Sequence, residues 1–226
     1  MLRIPQGRVP LMRLPGVYRP QDDTQLMRDA ISAHSVPPDA RVIDLCTGTG
    51  ALAIHAAQCG AESVTAVDVS RRAVATARLN ARLANTSIDV RRGDLTEPVA
   101  GNRYHLVVSN PPYVPAVRDR LPAAGRQRAW DAGVDGRALL DRVCAAAADL
   151  LEPGGTVLVA QSALSDVEKT LVMLEEHGLR ADVRLRREIP FGPVLSSRRG
   201  MLENRGFLDA GQTTEEIVVV GGVRPA

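Results

Sequence analysis

Arg41-Val42-Ile43-Asp44-Leu45-Cys46-Thr47-Gly48-Thr49-Gly50 decides how this chain reads. The first half is a short apolar run, the pattern of a buried strand. The second half is a tight glycine loop, and Ala51 to Cys59 then reads as a helix that Gly60 ends. Glycines without Cβ atoms let the chain turn sharply and let a ligand lie against the backbone. The N-terminus of the following helix aims unpaired N–H groups at the same point.

Outward from this unit, strands and helices alternate. Ser63 to Val67 reads as a second strand ending in Asp68, and Ser70 caps a helix over 71–84 with Ala73, Val74, Ala77 and Ala81 inward. Ser87 to Arg91 is a third strand, followed by Gly93-Asp94-Leu95. Tyr104 to Val108 is a fourth, 136–151 a helix, Thr156 to Ala160 a fifth strand and 164–176 a helix. Residues 179–188 alternate in part as a half-exposed strand, 190–213 read as an irregular Arg/Gly-rich insert, and Glu216 to Val220 as a last strand, antiparallel beside its predecessor. Before the first strand, residues 1–25 are Pro- and Arg-rich, and a helix is expected from about Thr24 to Ser35, stopped by Pro37-Pro38. Taken alone, Asp23-Thr24 reads as helix capping. The alternation implies an α/β fold, a doubly wound and mostly parallel sheet that binds ligands at the carboxyl ends of its strands. Asp44, Gly48, Asp68, Asp94 and Asn110 all fall at that edge.

The fourth strand leaves through Ser109-Asn110-Pro111-Pro112-Tyr113. This exit sets a side-chain amide and prolyl carbonyls on a stiff turn beside a π face. Such a site can hold a planar –NH2 group. Residues 114–135 then form a long loop carrying Arg118, Arg120, Arg126, Arg128 and Trp130, of a length that is usually functional or mobile in compact domains.

Two cofactors compete for the glycine loop. Gly48-Thr49-Gly50-Ala51-Leu52-Ala53 fits the G-x-G-x-x-A pattern of dinucleotide enzymes, and Asp68 stands about 20 residues on, where a ribose diol would be held. Against a dinucleotide, Asp44 puts negative charge near where a pyrophosphate would lie, but suits a sulfonium or an amino group. No second substrate domain follows the sheet. His34 and His55 read as structural, leaving no obvious hydride-transfer acid. S-Adenosylmethionine is the better match.

Asp44-x-Cys46-x-Gly48-x-Gly50, Asp68, Asp94 and Asn110-Pro111-Pro112-Tyr113 together resemble the Rossmann-type S-adenosylmethionine-dependent methyltransferases, and more narrowly the HemK-type protein-glutamine methyltransferases. Val17-Tyr18-x-Pro20-x-x-Asp23-Thr24 resembles the N-terminal lead-in of the short HemK-like proteins, and Trp130-x-x-Gly133-x-x-Gly136-Arg137 their loop after the motif. The resemblance covers about residues 16–160 and returns at Glu216 to Val220; the insert 190–213 has no match in it. It implies a seven-stranded sheet with helices on both faces and a single methyltransferase domain over 1–226, with 1–35 as lead-in and helix. It also implies the donor contacts: Asp68 at the ribose, Asp94 with neighbouring Leu95 at the adenine, Asp44 and the Gly48 to Gly50 loop at the methionine part, and Thr24 near its carboxylate, with Cys46, Val69 and Asn110 also among the cofactor-binding residues. Asn110, Pro111, Pro112 and Tyr113 are then the catalytic group.

Composition sets the outer bounds. The 226 residues are 45% apolar and only 3% aromatic, so Ala, Val and Leu must fill the core. No run reaches the ~18 apolar residues of a membrane span, and Met1 to Arg13 holds no signal-like block, so a cytoplasmic protein is expected. Cys46, Cys59 and Cys144 lack metal or redox spacing, and no metal is expected. A net charge of +2 is too small to announce a nucleic-acid binder.

Three functions stay open: glutamine methylation on the Gly-Gly-Gln loop of a release-factor-like protein, amino-group methylation of adenine or guanine in a nucleic acid, and cofactor binding without catalysis. The intact Asn110 to Tyr113 argues against the third.

Overall fold

The computed structural model describes residues 11–123 and 125–226. The arginines at positions 3 and 8 and the first part of the lead-in lie outside the described residues. One seven-stranded sheet runs in the order β3-β2-β1-β4-β5-β7-β6. Its strands are β1 (Arg41–Leu45), β2 (Ser63–Asp68), β3 (Asp89–Arg92), β4 (Tyr104–Ser109), β5 (Leu151–Ser162), β6 (Arg180–Pro190) and β7 (Thr214–Val223). β1 to β5 are parallel, whereas β7 runs antiparallel between β5 and β6. The expected mostly parallel sheet with an antiparallel last strand is therefore the observed one.

The helices are α1 (Asp22–His34), α2 (Ala51–Gln58), α3 (Arg71–Leu83), α4 (Leu140–Leu150), α5 (Val167–Glu176) and α6 (Pro193–Asn204). Two groups pack on the sheet, α1 with α2 and α3, and α4 with α5. The central strands carry near-continuous apolar runs because both faces are covered: Ile43, Leu45, Leu106, Val107, Val108 and Val157 to Ala160 are almost fully buried. On α1, Leu26, Met27, Ala30 and Ile31 form the buried stripe at helical spacing.

Several boundaries differ from the sequence reading. α4 begins at Leu140 rather than Gly136, because Gly133 and Gly136 hold positive φ of 82° and 76° in the turn before it. β5 begins at Leu151, since Gly154 N–H and Gly155 C=O pair with Arg224 of the C-terminal segment and draw the Pro-Gly turn into the sheet. Asp166 interrupts the helix expected from Leu164 and caps α5 by accepting from Lys169 N–H. The largest correction concerns residues 190–213, expected to be irregular: they contain α6. Its sequence is poor in apolar residues and includes Gly200, so local pattern is weak; Leu195 and Leu202 earn the helix by packing with Leu208, Phe191 and Phe207 in a small second core.

Topology decides where α6 stands. β7 is antiparallel, so its N-terminal end lies beside Ser162, at the carboxyl ends of β1 to β5. Pro190 pairs with Thr214, so the excursion carrying α6 leaves and rejoins the sheet at the ligand edge.

Candidate active site

A cavity of about 260 Å³ opens at this edge. β1, β2, the segment after β3, the exit of β4, the start of α1 and the 114–135 loop all contribute to its lining. Thr24, Asp44, Cys46, Gly48, Asp68, Val69, Asp94, Leu95, Asn110, Pro111, Pro112 and Tyr113 are brought together there. Gly50 is not among the lining residues. It holds φ 81° at the start of α2, and a Cβ there would lie 3.2 Å from the backbone of Ala77 on α3, so it serves close helix packing.

At the glycine-loop end, the Asp44 Oδ2 accepts from Thr47 Oγ1 at 2.5 Å and from Ala53 N–H at 3.1 Å, capping α2 from the strand before it. The other oxygen, Oδ1, is buried with no hydrogen-bond partner among the described residues. Burial pushes the Asp44 carboxyl up to about 7, against the lowering effect of the Thr47 and Ala53 bonds. A cationic ligand group beside Oδ1 would restore the charge. Asp68, which lines the cavity, accepts from Gly48 N–H at 3.0 Å through Oδ2 and from Ser70 N–H at 2.8 Å through Oδ1. Asp94 pairs through Oδ2 with Arg142 at 2.8 Å, and Leu95 follows at φ 48°. Thr24 hydroxyl donates to Asp23 at 3.2 Å. Burial, and then the Asp68, Asp44 and Asp94 carboxylates, push the Cys46 thiol well up, which makes it a poor nucleophile.

At the β4 exit the organising group is one that sequence reasoning missed. Asp23 is 3% exposed, in the first turn of α1 rather than at its cap. Its Oδ2 accepts from Asn110 Nδ2 at 2.9 Å, Tyr113 hydroxyl at 3.2 Å and Tyr18 hydroxyl at 2.9 Å. Its Oδ1 accepts from Thr24 N–H at 2.6 Å. Both phenols are pushed well above their usual range, by burial first and Asp23 second, so they remain protonated donors. The signal was available: Asp23 stands three and four residues before Leu26 and Met27, on the apolar stripe of α1. With Nδ2 committed to a carboxylate, the Asn110 amide cannot flip, and its Oδ1 is held buried without a partner among the described residues.

Tyr113 is braced from behind as well. Ser165 hydroxyl donates to its carbonyl at 2.6 Å, and a Cβ on Gly136 would come within 2.4 Å of that same oxygen. Arg137, 2% exposed, bonds Ser165 C=O, Asp166 C=O and the Thr170 hydroxyl, which fixes the brace. This accounts physically for the Gly136-Arg137 pair.

The donor set fits S-adenosylmethionine: a buried carboxylate oxygen for an ammonium or sulfonium, a strand-tip Asp for a diol, and acidic surroundings that a pyrophosphate would oppose. A sheet of this order with an Asn-Pro-Pro-Tyr exit facing such a cavity defines a Rossmann-like methyltransferase.

Comparison with known proteins agrees. The methyltransferase small domain model matches residues 9–126. A protein of Methanocaldococcus jannaschii, provisionally named a protein N5-glutamine methyltransferase, is 32% identical over 182 residues, covering 80% of this chain and 90% of its own. The release factor glutamine methyltransferase of Mycolicibacterium smegmatis is 36% identical over 191 residues, covering 79% of this chain; the match spans 66% of that longer enzyme. Among solved structures, the E. cuniculi Mtq2–Trm112 complex, described as responsible for methylation of the eRF1 termination factor, superposes with a TM-score of 0.64 at 22% identity, covering 92% of this chain and 99% of that one. The chain belongs to the methyltransferase small domain family, among the HemK-like protein glutamine methyltransferases.

Proposed function

We propose that this enzyme, acting as one domain in the cytoplasm, methylates the side-chain amide nitrogen of a glutamine in a release-factor-like protein, with S-adenosylmethionine as donor. One observation carries the reading: Asn110 lines the cavity, its amide is oriented by Asp23, and its Oδ1 is a buried acceptor with no donor of its own among the described residues. A buried acceptor without a donor is costly, and a substrate N–H removes that cost. The names of the relatives supply the substrate class.

Bound S-adenosylmethionine would supply an electrophilic methyl group on a sulfonium. The chain's own residues must make a poor nucleophile face it. An amide lone pair is delocalised, and Asp23 is already engaged by five donors, so it holds position rather than taking a proton. Asn110 Oδ1 and the Pro111 carbonyl accept hydrogen bonds from the two N–H groups of the target, turn its lone pair toward the methyl and stabilise the positive charge that develops, and the methylated nitrogen then gives up one of its protons to water. Orientation of this kind is worth up to ~7–11 kcal/mol, and dipoles already fixed before reaction add to it. Pro111 and Pro112 keep the turn from relaxing. Tyr113, anchored at both its hydroxyl and its carbonyl, presents its ring to the planar amide.

Labelled-methyl transfer to cell extract, treated in parallel with protease and nuclease, tests the proposal. Label lost to protease and retained after nuclease is expected. Label lost only to nuclease would replace the amide with a base amino group.

A further inference from the structure

The cavity has a wall that belongs to neither donor strands nor motif. After Tyr113 the chain forms a miniature ladder with its own return: Val114 N–H donates to Trp130 C=O at 2.8 Å, Ala132 N–H to Val114 C=O at 3.1 Å, and Ala116 N–H to Gly133 C=O at 2.7 Å. Between the rungs runs the loop that brings Leu121, Pro122 and Arg128 to the cavity. α6 grips the base of this ladder from outside. Arg198 donates to Pro115 C=O at 2.9 Å and pairs with Asp131 Oδ1 at 2.5 Å. Arg205, just past the helix, donates to Ala116 C=O at 2.8 Å. Pro115 and Ala116 of the outgoing strand and Asp131 of its partner are thus held by two arginines from an insert that does not itself line the cavity.

The Arg198–Asp131 pair is largely shielded from solvent, with side-chain exposures of 14% and 10%. A pair so placed is stabilising only while both members stand, and removing one leaves a buried charge unmatched. It therefore sets one position of the ladder rather than adding loose surface attraction.

We propose that Arg198 is a positioning residue for the acceptor. It holds the 114–116 and 130–133 ladder against α6, and so fixes the wall beside which the acceptor segment must enter to reach Asn110. Tyr113 and Asn110 are fastened separately, by Ser165 and Asp23, and Asp44 and Asp68 are fastened to the glycine loop and the start of α2. The role consequently belongs to acceptor binding, with the chemical step and donor binding largely spared. The choice of acceptor rests on the glutamine reading above; the placement of the wall does not.

Trp130, the single tryptophan, lies in the ladder and reports on it directly. Arg198→Met should raise acrylamide quenching of Trp130 about twofold or more and raise the KM for a release factor about tenfold, with kcat and donor affinity changed less than about threefold. Arg198→Lys should fall between, because an ammonium cannot serve both partners with the geometry of a guanidinium. The reversed pair Arg198→Asp with Asp131→Arg should recover only the part of the KM loss that the ion pair carries, because an aspartate at 198 cannot donate to Pro115 C=O. Unchanged quenching, an unchanged KM, or a donor affinity that falls in step with KM would overturn the assignment. A wild-type enzyme that leaves the release factor unmethylated would instead sink the substrate reading, while the quenching and donor measurements still decide the role of Arg198.

Discussion

The two ends of the cavity are held together by different means. At the donor end, most of the bonds that shape the site are short in sequence: Asp44 to Thr47 and Ala53 and Asp68 to Gly48 and Ser70 span at most 20 residues, and Asp94 to Arg142 is the exception at 48. At the acceptor end they are long: Asp23 to Asn110 spans 87 residues, Arg198 to Pro115 spans 83 and Arg205 to Ala116 spans 89. A strand-loop-helix unit can build a donor site almost alone. An acceptor site has to be assembled from the start, the middle and the end of the chain. The difference predicts that donor-end variants should move donor affinity, and acceptor-end variants should move turnover or acceptor affinity.

The sharpest way to break that division is Asn110→Ala. It should lower kcat by about 10²–10³, the scale for losing one fixed dipole at a reacting centre, with donor affinity within about threefold by calorimetry. A parallel collapse of donor binding would show that the two ends are one unit. From the other side, Asp68→Ala should weaken donor binding about 10- to 100-fold, as expected for hydrogen bonds to a charged acceptor. An unchanged affinity would remove Asp68 from the donor site.

Asp23→Asn is a smaller and more discriminating change. A neutral amide at this position no longer forbids the flipped Asn110, so kcat should fall about tenfold while donor affinity holds. Equal losses in both would mean that Asp23 mainly keeps α1 in place.

The smallest effect is in pH. The Asp44 carboxyl is raised from 3.8 to about 7 by burial, so it is harder to ionise in the folded chain than in the unfolded one. Its contribution to stability without donor is complete below pH 3.8 and is lost as pH rises through about 7. Donor binding should run the opposite way. Affinity for a cationic donor should rise as pH approaches 7, by at most about tenfold per unit, and level off above. Asp44→Asn should flatten that slope in calorimetry; an identical slope in the variant would assign the titration elsewhere.

What was legible in the sequence follows the same division. Strand-loop-helix periodicity and the spacing of Asp44, Gly48 and Asp68 were enough to bring these residues to one end of the cavity, because backbone topology itself puts strand tips and helix starts together. Asn110 to Tyr113 was legible for the same reason, as the tip of a central strand. Asp23 was read as a cap because its partners Asn110 and Tyr113 are distant in sequence, although its place on the apolar stripe of α1 marked it as buried. α6 was read as irregular because its stability comes from three leucines and two phenylalanines gathered from 191–208, and from arginines bonding carbonyls that carry no sequence signature. Gly50 was read as a ligand contact from the loop pattern alone, and its close approach to Ala77 on α3 carried no local signal.

The most direct test is to map the methyl group by mass spectrometry on a release factor incubated with S-adenosylmethionine and either the wild-type enzyme or Asn110→Ala. Wild type should add one methyl to the side-chain amide of the glutamine in the Gly-Gly-Gln loop, and the variant should leave it unmodified at matched donor occupancy. A methyl found on any other atom, or added equally by the variant, would contradict the account of Asn110 as the fixed acceptor that selects a planar amide.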